Sequence, residues 1–429
     1  MKKAALFALI ALASVSVISC FGGYSIPKPP SGLYDRVLAS QSVSSLTTRA
    51  GLVIINGETD VIPRLAPISA GIAPGLMTLS PTRATLLAFD SGLNQVDIVN
   101  TKSESLTGTV QLPGPTTSMV VPATETFGYA AVPTAPLIGF SPGAVEIMSL
   151  SPGGLAFTVS VPNAQTVVAN PSGTQLLAFS NDSDLVTIIT PNLTGNTATA
   201  VSATVPGFDR PVNALFSSDG TTAYVLNCGA ECGGTQASVQ ILNMSATPPA
   251  IGASVPVDGA TFGLMSGSTL FVAGTSPTNN ACTGETTAAT TCGRLDLVDL
   301  GSFTVISSAV ITDGYHTVMS ISANGQLFIG ASTCTNVGNV NAPQGEVRGC
   351  LSIFNTTNGE VVIPPDNGDV TDLQSFTTRL VEYVAEGGNL RVYDTTQDAL
   401  LVENGNGTIL NGTIAIVGQV IGVKAIDFF

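Results

Sequence analysis

The sequence predicts an all-β protein, a β-propeller of four-stranded blades, and three observations carry that prediction. A unit of short apolar strands and polar turns recurs about every forty to fifty residues, the period of propeller blades. The apolar residues lie in short alternating segments punctuated by Gly, Pro, Asn, Ser and Thr, and no long apolar helix follows the N-terminal stretch. The chain ends in an apolar strand, residues 420–429, with no hairpin after it, whereas the first hairpin has no strand before it.

Each blade begins with an apolar strand, a polar turn and a second strand. Residues 75–90 align with 212–227, and the pattern returns in 166–180 through Asn170-Pro-Ser-Gly173 and in 317–331 through Ser322-Ala-Asn-Gly325. A third, alternating strand follows: Val96-Asp-Ile-Val99, Val145-Glu-Ile-Met148, Val186-Thr-Ile-Ile189, Val239-Gln-Ile-Leu242, Leu295-Asp-Leu-Val298, Leu351-Ser-Ile-Phe354 and Leu390-Arg-Val-Tyr393. Apolar residues at every second place suit a strand with one face against the next blade. An edge-like strand rich in Val and Thr closes most copies. Counting second-plus-third hairpins, from 36–40 with 52–56 onward, gives eight blades. Seven is the alternative, because the copies at 119–132 and 374–385 are weak. The C-terminal strand is expected to become the inner strand of the first blade and close the ring, leaving no open sheet edge.

The N-terminus reads as an export signal. Lys2 and Lys3 precede an apolar stretch from Ala4 to Ile18 that is short for a permanent span. Val17-Ile-Ser-Cys20 resembles the lipobox of bacterial lipoproteins, which implies lipidation of Cys20 and removal of residues 1–19. Residues 20–33 are Gly- and Pro-rich and read as a tether, and 34–429 as the propeller domain. Phe21 stands where an inner-membrane retention Asp often stands, so the resemblance implies the outer membrane where one exists. The net charge of −15 becomes −17 once Lys2 and Lys3 are removed, and charged residues are 10% of the chain. A nucleic-acid partner wants the opposite sign.

Beyond Cys20, six cysteines fall in three local pairs: Cys228 with Cys232, Cys282 with Cys292, and Cys334 with Cys350. In an oxidising envelope such clustering favours disulfides, although six cysteines allow fifteen connectivities. Only Cys228-x3-Cys232 approaches zinc spacing, and no second short pair accompanies it.

The turn series Ser80-Pro81, Ser217-Ser-Asp-Gly220 and Ala323-Asn-Gly325, with strands such as Tyr224-Val-Leu-Asn227, resembles the YVTN-type β-propeller family. The resemblance covers most of residues 34–429 through individually degenerate motifs. It implies an extracytoplasmic binding or interaction protein, and propellers of similar shape include lactonases and quinone-dependent dehydrogenases. Fold alone does not decide between these.

In a propeller the second-to-third loops and the interblade turns share a rim, and all three cysteine pairs fall in such loops, the longest being 275–294 and 333–349. Counting back eight residues from the inner-strand turn places Asp209, Asp258 and Asp369 on that rim, with Asp313 one place further back. These carboxylates could gather at the channel mouth to hold Ca²⁺ or draw a cation. The plainer reading is Asp bonding to turn backbone. His316, the one histidine, could act as a base oriented by Asp313, or simply fill a blade-to-blade position. Arg210 could clamp a carboxylate, or pair with Asp209 in solvent. No Ser/His/Asp set, HExxH, phosphate loop or paired catalytic Glu can be assembled, and Trp is absent. The expectation is therefore a non-catalytic envelope lipoprotein, without a cofactor, that docks a surface protein through its disulfide-bearing rim. The alternative is a metal-assisted hydrolase of the lactonase type, its metal unassigned.

Overall fold

The computed structural model describes residues 28–42, 51–195, 197–275, 292–335, 349–402 and 412–427. Cys20 with its leader, and Cys282, lie outside the described residues. The chain forms eight antiparallel sheets, so both weak copies are true blades. Blade 2 spans residues 74–111, blade 3 118–160, blade 4 164–206, blade 5 211–256, blade 6 262–311 and blade 7 315–362. Blade 8 spans 370–400 and carries the extra strand Thr413–Ile414. Blade 1 joins Arg36–Gln41 and Gly51–Asn56 to the C-terminal strand Val423–Ile426. Among the described residues no helix is long and apolar enough to cross a membrane.

The repeated turn owes its form to one side chain. Ser80, Asn170, Ser217 and Ser322 each accept the N–H of the residue at, or in blade 4 just before, the start of the second strand: Thr85 at 3.1 Å, Gln175 at 3.1 Å, Thr222 at 3.0 Å and Gln326 at 2.9 Å. The turn then needs a left-handed residue, supplied by Gly173, Gly220 and Gly325, and by Arg83 with φ 58° in blade 2. Outward from there, the middle strands bury both faces between neighbouring blades. Leu177 and Phe179 of blade 4 share a core with Ala223, Val225 and Leu242 of blade 5. Phe271 meets Phe354, and Phe328 meets Tyr393, edge-on across successive blade boundaries at 6.4 and 6.1 Å.

The closure strand is held on both sides. Asp372 of blade 8 accepts Val423 N at 2.8 Å and Lys424 Nζ at 2.7 Å, while Asp427 pairs with Arg83 of blade 2. Beside blade 1, Asp60 takes both terminal nitrogens of Arg379 at 2.8 Å and also accepts the Tyr383 hydroxyl.

The structure distinguishes two rims. Asn324, in the inner-to-second turn of blade 7, donates to Thr395 O at 2.8 Å in the third-to-outer turn of blade 8, so these turns share one rim. The second-to-third loops and interblade turns share the other.

Because the Asp60 side chain is fully buried and Arg379 largely so, Asp60→Ala is expected to destabilise the protein by about 3–5 kcal/mol. Asp184→Ala, at a pair exposed on its acidic side where the carboxylate also takes the Arg210 N–H, should shift stability by no more than about 1 kcal/mol. Urea unfolding of the two variants side by side checks the contrast.

Candidate functional site

The acidic residues expected at the channel mouth are spent on loop backbone. Asp209, in the turn into blade 5, accepts Thr235 N at 3.0 Å, Gln236 N at 2.8 Å and the Thr235 hydroxyl. Burial acts upward on its pKa, but these donors and the Arg210 charge bring it below the ordinary value. A Cβ at Gly234 would collide with that carboxylate, so this loop needs glycine there. Asp313 accepts Thr335 N at 2.8 Å and its hydroxyl at 2.6 Å, and Asp369 accepts Thr333 N at 2.8 Å. Asp258 donates its N–H to Asp296 at 2.6 Å, and its carboxylate faces Arg294 at 3.8 Å and Ser308. Each Asp serves its own stretch of rim. Among the described residues no three His, Cys, Asp or Glu side chains come together as metal ligands.

The disulfides secure the same loops. Cys228–Cys232 closes around the short 3-10 turn Gly229–Cys232, and Cys334–Cys350 joins the two ends of the blade 7 loop, with Cα separations of 5.6 and 5.5 Å. Cys292 is also disulfide-bonded. Hydrogen bonds then run from blade to blade. Glu231 of the first disulfide turn accepts Thr275 N at 2.7 Å, and the Thr275 hydroxyl donates to Gly314 O at 2.9 Å. Asp369 takes the chain on to blade 8 through Thr333.

Inside this belt opens a cavity of about 780 Å³ at the channel mouth, walled by the starts of the inner strands of blades 3 to 7 and by the 181–183 loop. Arg210 and His316 belong to its wall; Asp209, Asp258, Asp313 and Asp369 do not. The wall mixes amides and hydroxyls, among them Gln165, Asn181 and Asn213, with apolar side chains such as Met119, Val167 and Phe262. Its charged members are Arg210 and Asp182, and both sit in the left-handed backbone region at φ 55°. For Arg that conformation costs about 1–2 kcal/mol, and its N–H donates to Asp184 Oδ1 at 3.1 Å.

His316 is fully buried, and burial pushes its pKa down to about 4, the Thr312 carbonyl opposing. The ring is therefore neutral at physiological pH. Nε2 donates to Thr312 O at 3.1 Å, leaving Nδ1 as the acceptor nitrogen, with no partner among the described residues. Asp313 does not orient it, being engaged by Thr335. Next to it, Tyr315 stands 40% exposed in the wall, its pKa raised by burial and then by Glu231.

Sequence reasoning missed Gln165, Asn181, Asp182, Asn213, Glu231 and Tyr315. The available signal was the offset that placed His316, since Thr117, Gln165 and Thr261 lie at comparable inner-strand starts.

No family model matches the chain, and no curated protein matches its sequence. Solved structures do match. Dihydro-heme d1 dehydrogenase NirN is 12% identical with a TM-score of 0.58, over 94% of this chain and 80% of that one. A candidate 6-phosphogluconolactonase from Bacteroides fragilis is 11% identical with a TM-score of 0.51, over 93% and 99%. The periplasmic gluconolactonase PpgL of Pseudomonas aeruginosa is 13% identical with a TM-score of 0.47, over 91% and 98%. The chain is a β-propeller. At these identities the likeness shows the propeller fold and not its chemistry.

Burial raises the Glu231 pKa from 4.5 to about 7, against the Thr275 N–H, which lowers it. The folded chain then binds more protons than the unfolded chain across that window. Stability associated with protonated Glu231 is full below the window and is lost as pH rises through it. Glu231→Gln keeps an acceptor for Thr275 and should gain on the wild type across the window, by on the order of 1 kcal/mol at its upper end. Urea unfolding at a series of pH values reads the difference.

Proposed function

We propose that the channel-mouth cavity is the working site, that it takes a small anionic polyhydroxyl compound, and that the chain hydrolyses a sugar lactone outside the cytoplasm. The observation that carries this reading is the cavity wall: the guanidinium of Arg210, with Asp182 as the one carboxylate, set among amides and hydroxyls interspersed with apolar side chains. Such a wall suits a ligand with one anionic group and several hydroxyls. The fold shared with the Bacteroides fragilis candidate lactonase supports it, and the disulfides favour an oxidising compartment. The same reading takes the chain as an exported lipoprotein of YVTN type, anchored at Cys20.

In lactone hydrolysis, water attacks the ring carbonyl, the ring C–O bond breaks, and a hydroxy acid leaves. Arg210 would hold the anionic group or the oxyanion that develops on the carbonyl. Asp182, the one carboxylate in the wall, would take the proton from water and pass it to the ring oxygen as the C–O bond breaks. A metal-assisted version would have to draw Asp258 and Asp313 away from Arg294, Ser308 and Thr335.

A second reading, partner docking, has its own observation: Ile138 and Phe140, at 101% and 68% exposure, tip the blade 3 loop on the same rim.

Purified protein assayed on glucono- and phosphogluconolactones should open at least one of them. Asp182→Asn should then lower kcat about a hundredfold, within the usual range for a general base. Arg210→Ala should lower kcat/KM by at least tenfold, as loss of a charged hydrogen bond worth about 1.5–3 kcal/mol requires. Absence of any lactone opening, with a partner captured through Ile138 and Phe140, would favour docking instead.

A further inference from the structure

The start of the described chain is fixed to the rim opposite the cavity. Ser31 donates its N–H and its hydroxyl to the Glu104 carboxylate, both at 2.6 Å. Arg36, fully buried, donates to Thr101 O at 2.8 Å and to Glu104 at 2.5 Å. Thr101 and Glu104 belong to the third-to-outer turn of blade 2, between Gln95–Asn100 and Ser105–Gln111. The cavity wall, the disulfides and the exposed Ile138 and Phe140 all lie on the other rim.

Chain length then limits how the ring can stand. Eight residue steps separate Cys20 from Lys28 and reach at most about 29 Å even when fully extended. The six-residue strand Arg36–Gln41 alone covers about 20 Å of the ring's depth, before any rim loop is added. A chain leaving the Glu104 rim would use most of its reach in passing to the far rim along the outside of the ring. The roughly 9 Å left over would have to span the loops of both rims as well. Turned the other way, the same chain reaches a membrane with length to spare.

We propose that the rim carrying the inner-to-second and third-to-outer turns lies against the membrane surface, and that the cavity opens away from it. This rests on the lipid anchor at Cys20. The face offered to the headgroups is made of small polar turns: Ser218-Asp219-Gly220 in blade 5, Gly301-Ser302 in blade 6 and Thr357-Asn358 in blade 7. Such turns can lie beside headgroups without inserting. The cavity and its substrate would thus face the open compartment.

The absence of Trp makes the test direct, because any introduced Trp is the sole one. Lys102→Trp and Ser218→Trp place it on the proposed membrane-side rim, near the tether and across the ring from it; Phe140→Trp places it on the cavity rim. All three positions are exposed. The lipidated full-length variants would be reconstituted in phosphatidylcholine and phosphatidylglycerol vesicles carrying dansyl headgroups, and energy transfer from Trp measured. Transfer at least severalfold stronger from positions 102 and 218 than from position 140 is expected. Equal transfer from all three, stronger transfer from 140, or strong transfer from 102 alone would overturn the orientation, the last meaning a ring standing on edge. Cys20→Ser separates the two failures. If vesicle flotation of the chain does not depend on Cys20, the anchor itself fails and the orientation with it.

Discussion

The ring depends on the pairing of Val423–Ile426 with Arg36–Ala39, the one blade assembled from the two ends of the chain. Every other blade is sequence-local and could form beside its neighbour as the chain runs on. This pairing must bring together residues almost four hundred positions apart, and loop closure is a cost met before its contacts form. The seam is also where the chain concentrates its charges. Of seven ion pairs among the described residues, four touch blade 1 or its flanks: Arg36–Glu104, Arg83–Asp427, Arg379–Asp60 and Lys424–Asp372. Buried ion pairs add little net stability over apolar contacts, but breaking one leaves a charge without its partner. A closing strand as short as Val-Lys-Ala-Ile could slip in register, and a slip of one residue would turn Lys424 into the wrong face. Asp372 forbids it, because it holds both the Val423 N–H and the Lys424 ammonium.

A second constraint acts within blades. The second residue of the alternating third-strand segment, Val96-Asp-Ile-Val99 and its equivalents, is polar in seven of them: Asp97, Glu146, Thr187, Gln240, Asp296, Ser352 and Arg391. Ser352 accepts Thr312 N at 3.0 Å, and Asp296 accepts Asp258 N at 2.6 Å, so each satisfies a turn N–H that has no ladder partner. Asp97 and Glu146 are met by Gln95 and Thr158 at 2.6 Å. Burial pushes the carboxyls of Asp97, Glu146 and Asp296 upward, Asp97 to about 6. In blades 6 and 7 these bonds fix where the inner strand starts. The inner-strand starts are what wall the cavity, so the polar third-strand places help set its shape.

The architecture was legible because periodicity is local. Alternating third strands and the Ser/Asn turn signal are read within a dozen residues, and the surplus C-terminal strand announced its partner by elimination. The blades at 119–132 and 374–385 were weak for physical reasons. In blade 3 the inner strand shrinks to Ser118–Val120, and blade 8 carries Glu382 where Leu86, Leu176, Ala223, Leu270 and Leu327 stand in other blades, and Asp372, which holds the closing strand. The site was less legible. His316 was found by offset and Arg210 as the neighbour of Asp209, but a place along the chain does not say which way a side chain turns. Asp209 and Asp313 stand one to three residues from Arg210 and His316, yet turn outward to the disulfide loops. Asp182 and Glu231 lie in loops whose place over the channel is set by Thr275, Asp184 and the disulfide, contacts between blades that no single repeat encodes.

That division of labour bears on the proposed chemistry. The rim carboxylates are locked to backbone, and the chain as a whole is strongly acidic at −15. At physiological salt the field of distant charges is screened beyond about 8 Å, so a ligand inside the cavity feels Arg210 first and the remaining acidity weakly. A lactone that becomes a hydroxy acid gains one negative charge in the act of opening. Arg210 and the hydroxyl wall can hold the substrate's existing anion, but the new carboxylate meets Asp182 and has no second cation in the wall to receive it. Product would then be bound less well than substrate, and its release would be helped outward by an acidic surface. A docking platform has no such need for a sparsely charged cavity behind its rim.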